Sequence, residues 1–211
     1  MKEILLIFGG KSTAVEIREV VVTFFSSKYD RVLLVIPDDE VLEKEYDYIN
    51  NKELSEFINS NICRYIVGFT NHKGREIIQQ EMLKMKVQPV NIIHPSSIIS
   101  SSVSLGVGNY IAAGSIISTN AKILNHCIIN YHVSIGHDSL INTNSIILPG
   151  SRISGNVAVG ERVLIGANSF VFQGKSIGND CIVDALTYVG NDLEDFHVCS
   201  SRTFKKFKRV K

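Results

Sequence analysis

The chain has 211 residues, 45% of them hydrophobic and 20% charged, with a formal net charge of +1. That length accommodates one large or two small domains, and the near-neutral balance gives no electrostatic case for a nucleic-acid partner or a membrane surface. The longest apolar run near the start, Ile4 to Phe8, is far too short for a signal-peptide core or a membrane span, so a cytoplasmic protein with no membrane span is expected.

The stretch EILLIFG (3–9) predicts a buried strand. Ser12 or Thr13 is placed to cap the helix that follows, AVEIREVVVTFF (14–25), whose apolar residues recur at helical spacing. RVLLVI (31–36) predicts a second strand, ending in Pro37-Asp38-Asp39. A helix through KELSEFINS (52–60), a strand ICRYIVGF (62–69), a charged helix KGREIIQQEMLKMK (73–86) and a strand PVNII (89–93) follow. Strands alternating with helices predict an α/β, Rossmann-like domain over 1–93 with a parallel, doubly wound sheet, which binds ligands at the carboxyl ends of its strands. Those ends carry Gly9-Gly10-Lys11-Ser12, Asp38-Asp39 and Thr70-Asn71. The first of these matches neither a P-loop nor GxGxxG and reads equally as a tight strand-to-helix turn.

From Pro95 the chain divides into hexads, PSSIIS, SSVSLG, VGNYIA, AGSIIS and onward. Ile, Leu or Val holds the fifth place of every hexad from Ile99 to Val189 without an insertion, and the pattern stops at Asp195. The third place is mostly small or β-branched, which also accounts for two of the four scattered cysteines, Cys127 and Cys181. None of the four (with Cys63 and Cys199) forms a CxxC pair, so all read as reduced thiols. The second place is rich in Gly, Asn, Asp and His, the residues that accept a positive φ at a tight corner. Each hexad then supplies one flat face of a triangular coil, three hexads close a coil of eighteen residues, and coils stack at about 4.8 Å with the fifth place inward.

The segment Val90-Asn91-Ile92-Ile93-His94-Pro95-Ser96 leads into the hexads, followed by Ile129-Asn130, Gly136-His137-Asp138, Pro149-Gly150 and Ser154-Gly155-Asn156-Val157. These stretches resemble sugar acyltransferases of the sialic acid O-acetyltransferase, bacillosamine N-acetyltransferase and perosamine N-acetyltransferase type, and the resemblance extends over nearly the whole chain. It implies a left-handed parallel β-helix of hexapeptide repeats over 94–196, a C-terminal tail over 197–211, a homotrimer, and acetyl-CoA as cosubstrate. It implies His137 as general base, Asp138 as its partner, and the Gly155 N–H facing the acyl carbonyl. By position, Gly155, Ala167 and Ala185 line CoA, and Gly9, Gly10, Asp38, Asp39, Asn71 and Arg75 face a sugar or nucleotide sugar. Independently of the resemblance, His137 and Gly155 lie eighteen residues apart, which stacks them on one edge of the coil, the geometry that acyl transfer needs.

The chain departs from that pattern in places. Ile146 stands where a second His often follows the first, Thr70 replaces a glycine, the front turn lacks its usual histidine, and Cys199-Ser200-Ser201-Arg202-Thr203 replaces a terminal G-x-P-A-K. His126, His132 and His137 invite a zinc reading, but six-residue steps move them to different corners, and no metal is expected. His72 and His197 read as surface or structural. The basic, aromatic tail Phe204–Lys211 reads as a solvated terminal segment. The expected function is acetylation of an amino sugar, with O-acetylation of a sialic-acid-like sugar and a non-catalytic sugar-nucleotide-binding trimer as the other readings.

Overall fold

Leu5, Leu6, Ile7 and Phe8 are all buried. A strand buried on both faces belongs at the centre of a sheet. In the computed structural model, which describes residues 3–40, 42 and 46–201, Glu3–Phe8 (β1) is that centre. Its neighbours are Tyr29–Ile36 (β2), Tyr48–Asn50 (β3), Cys63–Val67 (β4) and Gln88–Pro89 (β5), in the order β3-β2-β1-β4-β5, all parallel. Helix Thr13–Phe24 (α1) packs Ala14, Ile17, Val20 and Val21 on one side of the sheet. Helices Asn51–Ser60 (α2) and His72–Lys84 (α3) pack Leu54, Ile58 and Met82 on the other.

The elements match expectation to within two residues at their ends, and the main differences are these. The strand β2 begins at Tyr29 rather than Arg31, and the short strand β3 has no alternating pattern that would reveal it. Ser12 precedes α1 at φ 45°, but its side chain makes no capping hydrogen bond. The expected strand 89–93 is two strands: Gln88–Pro89 ends the α/β sheet at an edge, where proline's missing N–H costs nothing, and Ile92–Ile93 opens the next unit.

That unit is a stack of two-residue strands on three faces. Face 1 has seven strands from Ile92–Ile93 to Val198–Cys199. Face 2 has six, from Ile98–Ile99 to Tyr188–Val189, and face 3 has five, from Ser104–Leu105 to Ser176–Ile177. Every ladder is parallel, and the step is eighteen residues, as in Ile117↔Ile135↔Ile153, except at the last pairing of face 1, Ile182↔Val198, where it is sixteen. The ladder thus runs from 92 to 199, two or three residues past each end of the span 94–196. Fifth-place residues from Ile111 to Val189 are at most 2% exposed and form one continuous core. Every second-place residue from Gly108 to Leu186 has positive φ, Arg162 and Leu186 included. The third place does more than fit. Ser139, Ser145 and Ser169 each donate to a carbonyl fifteen residues on and accept from an N–H eighteen residues on, both at the same edge in the next coil. The last coil is shorter: Asp195 Oδ1 accepts from Asn179 N across sixteen residues.

The α/β unit docks on face 1. There the outward fourth-place residues Ile92, Tyr110, Ile128 and Ile146 are buried against α1 and the sheet, and Tyr110 Oη donates to Glu16 at 3.0 Å. Helix α3 runs along the edge between faces 1 and 3. Its Gln79 exchanges two hydrogen bonds with Asn144, its Glu76 lies 3.6 Å from Arg162, and Arg75 donates to the His126 carbonyl. Arg162 is in turn held by both oxygens of Asp180.

Ile135→Ala should cost about 2–5 kcal/mol in urea unfolding, as buried aliphatic truncations do. Lys122→Ala, on the outer surface of face 3, should stay within about 0.5 kcal/mol. Leu186→Gly should stabilise by about 1 kcal/mol, because it relieves a left-handed backbone at an exposed leucine.

Candidate active site

His137 and Gly155 are first-place residues one coil apart on the edge between faces 2 and 3. The Asn156 N–H donates to the His137 carbonyl at 2.8 Å, which binds the two levels together. A methyl group added to Gly155 would sit 2.5 Å from His137 Nε2. The imidazole therefore lies across the glycine, and a side chain at 155 would displace it. The N–H groups of Ser154 and Asn156 are engaged, whereas that of Gly155 makes no hydrogen bond among the described residues.

Asp138 occupies a second-place corner at φ 57°. Its Oδ2 lies 2.8 Å from His137 Nδ1, and its Oδ1 accepts from Asn120 Nδ2 at 3.1 Å. These bonds, the one to His137 first, hold the Asp138 carboxyl below its ordinary range, so it is ionised at neutral pH. A carboxylate only accepts, so Nδ1 of the neutral ring carries the hydrogen and Nε2, against Gly155, carries the lone pair. The ring is half exposed. A basic nitrogen beside an unengaged backbone N–H can take a proton from a nucleophile and stabilise an oxyanion at one locus. Asn120 was not among the expected site residues; an eighteen-residue step back from Asp138 lands on it.

Ala167 and Ala185 stack one coil apart on a different edge, between faces 1 and 2. Within one chain they do not join His137. Face 2 lies between, and its outer surface carries the exposed apolar side chains Ile98, Ile116, Phe170 and Tyr188. Ile146 is fully buried beneath α1, so it packs the two units together and takes no part at the His137 edge. His132 stands on the edge between faces 1 and 2, and His126 on the edge between faces 1 and 3. The three histidines occupy three edges, as the six-residue steps imply. Burial, with Arg75 nearby, pulls the His126 pKa down to about 4, and its ring stacks on Tyr65.

The carboxyl ends of the α/β strands form a cavity of about 610 Å³. Gly9 and Gly10 line it, together with Lys11, Glu40, Phe69 and Thr70, and the Lys11 ammonium pairs with Glu40 at 2.9 Å. The other expected ligand-facing residues are used elsewhere. Asp38 accepts from the Lys52 N–H in the first turn of α2, Asn71 caps α3 through the Gly74 N–H, and Asp39 is exposed outside the cavity lining. Arg75 is fully buried. Its guanidinium donates to the carbonyls of Val67, Phe69 and His126, and burial draws its pKa down to about 10, still charged at neutral pH. A hydrogen-bonding fork aimed at three carbonyls explains why this position holds arginine, and it leaves no face for a ligand. Lys11, Glu40 and Phe69 were not expected as lining; in the sequence only the GGKS turn hinted at the first.

No protein-family profile matches the chain, and no curated protein matches it. Solved structures do, and those with this architecture over nearly their whole length include acetyltransferases. A histidine-to-asparagine variant of perosamine N-acetyltransferase from Caulobacter crescentus, in complex with CoA and GDP-perosamine, is 26% identical with a TM-score of 0.87, covering 93% of each chain. The acetyltransferase domain of PglB from Neisseria gonorrhoeae, in complex with acetyl coenzyme A, shares the fold at 19% identity and TM-score 0.85, with 95% of this chain and 97% of that one covered. WeeI from Acinetobacter baumannii shares it at 19% identity and TM-score 0.84, with 92% and 94% covered. The resemblance to perosamine N-acetyltransferases read from the sequence is thus borne out.

Arg75→Met should destabilise the protein by about 3 kcal/mol in thermal or urea unfolding, since it strands three buried carbonyls. Arg75→Lys should recover only part of that loss, because an ammonium lacks the planar fork.

Proposed function

We propose that this chain is an acetyl-CoA-dependent N-acetyltransferase of a nucleotide-linked amino sugar, acting in bacterial surface-glycan biosynthesis as a cytoplasmic homotrimer. The observation that carries this reading is the His137–Asp138–Gly155 group on the edge between faces 2 and 3. His137 Nε2 takes the proton from the sugar amine as its nitrogen attacks the thioester carbonyl. Asp138 holds the ring and offsets its positive charge, and the Gly155 N–H stabilises the oxyanion. The C–N bond forms, the C–S bond breaks, and the proton leaves on the CoA sulfur. No covalent enzyme intermediate is needed. Likeness at 26% identity to an enzyme crystallised with CoA and GDP-perosamine supports both the cosubstrate and a nucleotide-sugar acceptor.

On this reading residues 1–93 form a Rossmann-like, sugar-nucleotide-binding domain, 94–196 the left-handed catalytic β-helix, and 197–211 a tail. Arg202–Lys211, and with them the basic segment Phe204–Lys211, lie outside the described residues. The trimer is supported by a geometric argument. The edge between faces 2 and 3 is the one opposite face 1, and face 1 carries the α/β domain. A ligand in the front cavity is therefore on the far side of the prism from its own His137. A second chain packed on the apolar face 2 would bring one chain's His137 edge to its neighbour's Ala167–Ala185 edge, with CoA in the groove between.

Mass spectrometry of nucleotide amino sugars incubated with acetyl-CoA and enzyme tests the reaction. An N-acetylated product is expected. An ester-linked product instead would favour the O-acetyltransferase reading, and ligand binding without any product would favour a non-catalytic protein. His137→Ala should lower kcat by about 10²–10⁴ with CoA affinity intact, and Asp138→Asn by less. Light scattering should give a trimer. Mixed trimers of His137→Ala chains with cavity-blocked Thr70→Trp chains should regain activity that neither variant has alone; none would be regained if each subunit were self-contained.

A further inference from the structure

The Asp138 carboxylate has two oxygens, and only one is used by His137. The other accepts from Asn120, the second-place residue one coil earlier on the same edge. Asn120 is itself anchored: its N–H donates to Ser102 Oγ at 2.9 Å, and its backbone sits at φ 58°. A chain of contacts therefore runs down the edge from Ser102 through Asn120 and Asp138 to the imidazole. Asp138 is half exposed, and a free surface carboxylate rotates among rotamers in nanoseconds or less. A second, directed hydrogen bond from a residue with an anchored backbone restricts that freedom. Because Asn120 can only donate through its amide nitrogen to a carboxylate, it also leaves Oδ2 turned toward Nδ1.

We infer that Asn120 is a positioning residue for the proposed reaction: it pins Asp138 so that the His137 ring stays in the tautomer with hydrogen on Nδ1 and its lone pair on Nε2 facing Gly155. The inference rests on the reading of His137 as the base, but its central claim concerns the free protein and can be read without any substrate.

Glycine already serves the second place at Gly108, Gly114, Gly150 and Gly174, all at positive φ, so Asn120→Gly deletes the amide while keeping the corner. Long-range proton–nitrogen spectra of the histidine-labelled enzyme should show His137 as a single Nδ1–H tautomer. In Asn120→Gly and in Asn120→Asp the spectra should move toward a mixture, the second because two carboxylates then face each other. The kcat should fall about three- to tenfold in Asn120→Gly, the size of one hydrogen bond, with KM for acetyl-CoA unchanged. Added to Asp138→Ala, which removes the acceptor altogether, the same substitution should cost nothing further. An unchanged tautomer in Asn120→Gly, or an equal loss in the Asp138→Ala background, would overturn the inference. A tautomer shift in a protein that acetylates no sugar would leave the inference standing and remove the proposed function instead.

Discussion

Everything in the second unit depends on a left-handed backbone turn repeated every sixth residue. A chain of L-residues resists that conformation, and Gly, Asn, Asp and His resist it least. Spending such residues at each corner lets a two-residue strand end, turn and begin again in phase. Once the turn recurs without error, an eighteen-residue separation in sequence becomes adjacency in space. Columns of side chains then run the length of the prism, and their chemistry is set by which residue happens to stand in which column. The proposed base and oxyanion donor are such a column, and so are the serines that bridge one coil to the next through their hydroxyls.

The three faces share out the work. Face 1 is outwardly apolar in its first coils because the α/β unit covers it, with Tyr110, Ile128 and Ile146 serving as core although they point away from the prism axis. Face 3 presents Ser104, Lys122 and Ser176 outward, with Leu140 and Ala158 between them. Face 2 is uncovered in the single chain and exposes Ile98, Ile116, Phe170 and Tyr188 on either side of Ser134 and Arg152, apolar exposure that marks an interaction surface. The edge bearing His137 borders that open face. In the proposed trimer, that border is where a neighbouring chain would complete the site.

The fold was legible because its signal is periodic and redundant: one substitution at a fifth place would not have hidden it. That His137 and Gly155 share an edge was legible for a related reason, since register alone stacks them; the roles proposed for them and for Asp138 come from the resemblance. The front domain's ligand residues were harder. Asp38 and Asn71 sit at strand ends, where a ligand contact and a helix cap call for the same side-chain oxygen, and the structure spends both on caps. Arg75 follows Asn71 at helical spacing, yet it turns inward, because the nearby free acceptors are carbonyls of β4, of Phe69 and of the β-helix edge. Nothing local in sequence reports a partner fifty-one residues away. Ile146 looked like a lost catalytic histidine and is instead a packing residue, because the fourth place on face 1 is covered. Asn120 was missed for a simpler reason: its column was read for corners and not for hydrogen bonds.

The contact of α3 with the prism edge works like a key in a rack. Three successive coils meet three residues of the helix: Arg75 reaches the His126 carbonyl, Gln79 pairs with Asn144, and Glu76 lies near Arg162. The teeth differ from one another: Asp180 and Arg162 are charged, Asn144 is an amide, and His126 offers a carbonyl. A slide of one coil would set Gln79 against Arg162 and leave the Arg75 guanidinium buried without the His126 carbonyl. The front domain can therefore seat at one height only. Coils added beyond Val189 would lengthen the prism and leave that seat alone, whereas a coil inserted between Cys127 and Asn144 would part the His126 contact from those of Asn144 and Arg162.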